Sequence, residues 1–255
     1  MIILFTLLEV QPNNINPYNY MAETYANGLD PIVAAIVTAT GGDIPTTDQL
    51  NTAIMNYISP LYYGGTPPLD QNQKLNAVLG NFYNAFIQPQ QSAQQFYNRA
   101  QLAFIANIMA GLDQLDVSQA AGVNFWRVQE ENLAISNLTA QQQAPIFMAL
   151  SIAQAAYTYF YEEILGPSTD WSNYLDSNAA VNFINFNGWI KAIFRGTLIG
   201  YTQSTVLVPT TTADAAGIGN NMVTAIMGGF VATYGKIVLR WVKRPMLIST
   251  GRVSF

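Results

Sequence analysis

The chain contains no cysteine and no histidine, and it carries few charged residues. Without cysteine it has no disulfide bonds, no thiolate metal ligands and no thiol nucleophile. Without histidine it lacks the commonest general base and the commonest metal ligand of proteins. Charged residues make up 10% of the 255 positions, whereas an average soluble protein has about 25%. The polar surface must therefore consist mainly of uncharged, hydrogen-bonding side chains.

The short motifs that mark catalytic and nucleotide sites are also missing. Gly217-Ile218-Gly219 lacks the further glycine and the Lys-Ser/Thr pair of a phosphate-binding loop. The neighbouring carboxylates Glu130 and Glu131 cannot converge on one substrate atom, because adjacent residues of a helix point apart. Arg127 with either glutamate is better interpreted as a surface ion pair. We therefore predict that the protein is not an enzyme and uses no cofactor and no metal.

Half of the residues are apolar, so a chain of this length can bury a large core. The abundant Asn, Gln and Tyr residues suit two situations. In strong acid, carboxylates protonate below about pH 4, whereas amides and hydroxyls keep their hydration. In subunit contacts, Lys, Glu and Asp are depleted and aromatic residues are enriched. The composition predicts an acidic environment, extensive subunit contacts, or both.

Apolar residues recur at three- and four-residue spacing, and helix-start signals are frequent. Asp30 followed by Pro31 predicts a helix start, with Gly41 as its end. The pairs Thr46/Gln49 and Thr139/Gln142 have capping-box spacing, and another helix is expected from Ser118. We predict an all-α fold: a multi-helix bundle of about seven to nine helices with a long C-terminal helix and extended N- and C-terminal segments.

Composition divides the chain into three parts. Residues 1–20 form an N-terminal segment, residues 21–166 an acidic to neutral helical bundle, and residues 178–255 a basic helical part with a C-terminal arm. We expect these parts to form one continuous domain. The apolar first ten residues lack the basic start and the small-residue cleavage site of a secretory signal peptide, so none is predicted.

The charge is unevenly distributed. Residues 1–190 carry 14 acidic and three basic groups, a net charge of −11, whereas residues 191–255 carry one acidic and seven basic groups, a net charge of +6. Such asymmetry predicts an anionic partner for the basic end: nucleic acid, a membrane surface, or the acidic part of a neighbouring copy. In the simplest alternative, the two parts pack against each other within one monomer.

The stretch from residue 215 to residue 245 combines small and basic residues. The pairs Ala225/Gly229 and Gly228/Ala232 have the four-residue spacing that lets another backbone approach closely, so we assign these four residues to helix packing or assembly. Basic residues follow in the last turns, where cations suit the helix dipole. The candidate contacts to nucleic acid or another anion are Lys236, Arg240, Lys243, Arg244 and Arg252.

In composition, the chain resembles structural proteins of virus particles from hot, acidic environments, such as those of archaeal viruses. The resemblance implies an acid-stable, self-associating homo-oligomer, located in a virion of capsid type or in an extracellular assembly. The alternative is a membrane-active protein, pore-forming or inserting, that uses residues 215–244. An enzyme acting through distant carboxylate, tyrosine and arginine side chains is the third possibility.

Overall fold

The computed structural model describes residues 15–41, 45–63, 96–165, 186–203 and 220–242, together with positions 73, 77 and 79. Over these residues the chain is all-helical, with seven helices and no strand, as predicted. The helices are α1 Tyr20–Thr40, α2 Thr47–Tyr63, α3 Arg99–Gln114, α4 Gln119–Ala134, α5 Ala140–Leu165, α6 Phe186–Thr202 and α7 Asn220–Val242. Most of the predicted extended terminal segments lie outside the described residues.

The helices α5, α6 and α7 form the centre of the bundle. The most extensive contact is between α6 and α7, and α6 also packs along α5. The helices α1 and α4 pack on α5, α2 packs on α1 and α7, and α3 packs on α6. Every residue from 223 to 234 is buried, which explains why this part of α7 carries no charged residue on any side.

Three helix starts that the sequence predicts are present. The Thr46 hydroxyl accepts a hydrogen bond from the Gln49 backbone N–H at 3.2 Å, and the Gln49 side chain accepts one from the Thr46 N–H at 2.9 Å. Thr139 and Gln142 make the same reciprocal pair at 3.3 and 2.9 Å. The Ser118 hydroxyl caps α4. These bonds satisfy backbone donors that have no partner within the helix.

The predicted helix start at Asp30 is wrong. The helix α1 begins at Tyr20 and passes through Pro31, although Gly41 ends it in the left-handed conformation, with φ 63°. Pro31 removes one intrahelical hydrogen bond, but buried apolar side chains continue on both sides of it and form one face. Asp30 does not act as a cap: its carboxylate accepts a hydrogen bond from the Tyr159 hydroxyl of α5.

Candidate functional site

The four small residues singled out in α7 all lie inside the bundle. Ala225, Gly228, Gly229 and Ala232 are buried, and they occupy positions i, i+3, i+4 and i+7, which recur on one side of a helix. Because α7 lies between α6, α5, α1 and α2, its small residues determine how closely those helices approach.

The helix α6 meets this surface with two glycines of its own. A methyl group added to Gly228 would lie 2.1 Å from the Gly196 carbonyl oxygen. A methyl group added to Gly200 would lie 2.1 Å from the Thr224 carbonyl oxygen. Both distances are far below van der Waals contact, so the two backbones touch with no side chain between them. This close approach is the property that small residues at four-residue spacing confer on helix pairs.

Gly229 faces a different neighbourhood from Gly228. A methyl group at Gly229 would lie 2.9 Å from the side chain of Ile152 on α5, and 3.3 Å from the Thr197 hydroxyl. Its nearest neighbours are thus side chains, whereas those of Gly228 are backbone atoms. The sequence reasoning missed the partner residues Gly196 and Gly200, although their own four-residue spacing is the signal that would have identified them.

Aromatic side chains fill the contact between α7 and α1. Phe230 stacks on Tyr25, with ring centroids 4.9 Å apart, and meets the edge of Tyr57 at 5.7 Å. The Thr233 hydroxyl donates to the Gly229 carbonyl at 2.9 Å, so the Tyr25 hydroxyl, 2.5 Å away, donates to Thr233. Burial raises the pKa of the Tyr25 hydroxyl well above its usual value, and the phenol remains a neutral donor.

A second polar cluster joins the start of the chain to α4 and α5. The Asn16 side-chain amide lies 2.6 Å from a Glu130 carboxylate oxygen, 2.9 Å from the Ser151 hydroxyl and 3.0 Å from the Phe147 carbonyl oxygen. Asn16, Glu130 and Ser151 are all buried. A buried carboxylate requires such donors, so the cluster anchors the segment before α1. The predicted surface ion pair of Arg127 is made with Glu131, at 2.6 Å, and not with the buried Glu130.

Of the candidate anion contacts, Lys236 and Arg240 lie in the last turns of the α7 backbone, one helical turn apart. Lys243, Arg244 and Arg252 lie outside the described residues. A basic residue of α6 is engaged within the chain, since the Lys191 ammonium donates to both carboxylate oxygens of Asp113 on α3, each at 2.6 Å.

The described residues contain no group of three or more potential metal ligands. None of the helices over these residues is long and apolar enough to cross a membrane. Many of their polar side chains cap helices, make hydrogen bonds between helices, or form the ion pairs above. Such an arrangement rigidifies the bundle.

Comparison of the chain with protein-family models, with curated proteins and with solved structures finds no match. No relative therefore assigns a role to any residue. The function has to be argued from the composition, the charge distribution and the surface of this chain.

Proposed function

We propose that the protein is a non-enzymatic structural subunit that self-associates, either in a virion of capsid type or in another extracellular assembly. The observation that carries the proposal is the exposed surface of α4 and its C-terminal end, where Val123 and Ile135, the residue that follows α4, are 58% and 82% exposed. Large apolar side chains gain free energy when a partner removes them from water. Exposed apolar residues on a weakly charged helical surface favour contact with another protein.

The interior of the bundle supports a structural role. Buried tyrosines bond to backbone carbonyls of other elements: the Tyr97 hydroxyl donates to the Leu198 carbonyl, and the Tyr234 hydroxyl to the Leu29 carbonyl, both at 2.7 Å. Bonds of this kind tie neighbouring helices together and suit a rigid building block. The resemblance in composition to virion proteins points in the same direction.

The charge distribution supports an anionic partner for the C-terminal part. The net charge of +6 over residues 191–255 favours an anionic partner, either nucleic acid or the body of a neighbouring copy, where residues 1–190 carry a net charge of −11. The residues of α7 from 223 to 234 are buried. Neighbouring helices therefore hold α7 firmly up to the point where its basic end begins, at Lys236.

The self-association is tested by measuring the mass of the purified chain with size-exclusion chromatography and light scattering, at about pH 3 and about pH 7. We expect a defined oligomer that persists or forms in acid, because most of the polar groups do not titrate there. A stable monomer at both pH values would contradict the proposal.

The anionic partner is tested with the double variant Arg240→Glu, Lys243→Glu. If these residues contact phosphates, wild-type affinity for nucleic acid falls with a log-log salt slope of about −0.9 for each neutralised phosphate, and the variant lowers both affinity and slope. The control is Arg99→Glu, an exposed position on α3, which should leave both unchanged. Loss of the oligomer without any nucleic-acid binding would instead assign the basic end to an acidic neighbour.

A further inference from the structure

The outward surface of α4 combines two exposed apolar residues with an ion pair between them. Val123 and Ile135 are the most exposed large apolar side chains of the described residues. Between them, Arg127 donates to a Glu131 carboxylate oxygen at 2.6 Å and to the Asn124 side-chain oxygen at 2.9 Å. We call this the α4 surface. It consists of Val123, Asn124, Arg127, Glu131, Ala134 and Ile135, all half-exposed or exposed.

The residues of the α4 surface are arranged symmetrically about position 129. Val123 and Ile135 lie six residues before and after it. Arg127 and Glu131 lie two residues before and after it. A helix turns by about 100° per residue. Around the helix axis, the members of each pair therefore lie within about 60° of the direction opposite to residue 129, one on either side of it. Asn124 and Ala134, five residues away on either side, share this direction.

Such a pattern is self-complementary when two identical helices run antiparallel. Residues at equal distances from the centre then face each other across a two-fold axis, so that residue i of one copy meets residue j of the other, and j meets i. Asn124 would face Ala134 of the second copy, and Val123 and Ile135, about 60° to either side of the common direction, would flank the contact. Arg127 would face Glu131 of the second copy, and the two intrahelical ion pairs would become one ring of alternating charge.

We propose that the α4 surface is the two-fold contact between two copies of this chain, a proposal that rests on the self-association put forward above. The charges favour a second copy over other occupants. A nucleic acid would bring phosphates against Glu131, and a parallel pairing of two α4 helices would place Arg127 against Arg127. Opposite charges that face each other across a contact give it direction and register.

The inward side of α4 holds this surface in place. Trp126, Glu130 and Leu133 are buried, and a methyl group at Gly122 would lie 2.3 Å from the ring of Tyr157 on α5. Because these contacts are separate from the α4 surface, substitutions on the outward side leave the packing of the helix intact. The α4 surface is therefore already formed in a single copy, and a second copy can bind it without a change of the backbone.

The register is tested by exchanging the charges. We expect the variants Arg127→Glu and Glu131→Arg each to lose the two-fold contact, because each places like charges opposite each other twice. In an equimolar mixture of the two variants, both facing pairs are again opposite in charge. Light scattering should therefore show a reduced mass for each variant alone and the wild-type mass for the mixture. A merely intrahelical role of the ion pair predicts no such recovery, and a mixture that stays at the reduced mass overturns the proposal.

The geometry is tested by disulfide trapping, which has no background in a chain without cysteine. Under oxidation, a mixture of Asn124→Cys and Ala134→Cys should give a covalent dimer that joins position 124 to position 134, in large excess over either variant alone. Phe96→Cys, at an apolar position 51% exposed outside α4, is the matched control and should give no comparable dimer. Equal trapping by the control and the mixture counts against the contact.

The two proposals fail in distinguishable ways. A wild-type chain that stays monomeric overturns both the self-association and the α4 contact. A wild-type oligomer whose mass is unchanged by Arg127→Glu and by Glu131→Arg, and whose Asn124→Cys and Ala134→Cys variants give no 124–134 disulfide when mixed, overturns the α4 contact alone.

Discussion

Several tyrosine side chains have their hydroxyl groups inside the bundle and bond to backbone carbonyls. The Tyr157 hydroxyl donates to the Ser118 carbonyl at 2.9 Å, and the Tyr97 hydroxyl donates to that of Leu198. Burial is the main cause that raises the pKa of these phenols, to about 12 for Tyr157, and burial likewise raises the pKa values of Tyr25, Tyr97 and Tyr234 well above the usual value. In the folded state they resist ionisation.

The bundle should accordingly lose stability in alkali. In the unfolded chain, tyrosine ionises near pH 10, whereas in the folded chain it stays neutral to higher pH. Tyrosine ionisation then leaves the free energy of unfolding unchanged below about pH 10 and lowers it as the pH rises from about 10 through about 12. Urea unfolding at about pH 8, 10 and 11, with tyrosinate absorbance recorded in parallel, tests this expectation. Urea midpoints that stay constant up to about pH 11 would contradict it. In Tyr157→Phe, the alkaline decrease should be smaller.

Single residues also show where sequence patterns stop being informative. Glu130 and Glu131 are adjacent, and nothing in their spacing distinguishes them. In the structure, Glu130 is buried against Asn16, which lies 114 positions away in the chain, and Glu131 pairs with Arg127 on the surface. Long-range contacts of this kind have no local signal.

At the scale of helices, the α6–α7 contact is the most constrained feature of the bundle. Gly196 and Gly200 of α6 bring its backbone against Thr224 and Gly228 of α7. The atoms nearest to a methyl group added at Gly228 or Gly200 are backbone atoms, which cannot move aside as the end of a flexible side chain could. Close-packed interiors of this kind respond to the addition of even one methyl group.

We expect Gly228→Ala to destabilise the protein by about 2 kcal/mol. The substitution gains about 1 kcal/mol of helix propensity, but the added methyl group meets the Gly196 backbone, and overpacking of a core commonly costs about 1–3 kcal/mol or more. The matched substitution Gly229→Ala, which meets the Ile152 side chain instead, should destabilise less. Urea unfolding followed by circular dichroism gives both values. Equal effects would show that the backbone contact at Gly228 is no more constrained than the side-chain contact at Gly229. A Gly228→Ala variant more stable than the wild type would show that the helices can separate at little cost.

Helix starts were predictable wherever the capping side chain acts on its own turn. Thr46, Ser118 and Thr139 each bond to a backbone group three residues ahead, so the information lies within one turn. The start of α1 was mispredicted because Asp30 and Pro31 carry equally good local signals. Buried contacts of residues 21–29 with other helices outweigh the hydrogen bond that Pro31 removes.

At the scale of the whole molecule, we expect the proposed self-association to depend on the low number of charges and on an isoelectric point near 4.5. The net charge is −5 at pH 7, and it passes through zero at about pH 4.5. Repulsion between copies is weakest where the net charge vanishes. The uncharged polar surface contributes little repulsion of its own.

Self-association should therefore be strongest near pH 4.5. Light scattering between about pH 3 and pH 8 at low ionic strength is expected to show a maximum of apparent mass near the isoelectric point. Added salt should flatten the profile, because it screens the repulsion on both sides of the maximum. An apparent mass that rises steadily from pH 4.5 to pH 8 would mean that net charge does not limit association.

The sequence by itself determined the all-helical class, three of the capped helix starts, the left-handed end of α1 at Gly41 and the charge asymmetry, because each depends on neighbouring residues or on composition. The tertiary structure alone decided which glycines meet, which of two adjacent glutamates is buried, and that α1 runs through Pro31. Those outcomes depend on contacts between residues far apart in the chain, where burial and close packing outweigh local preference.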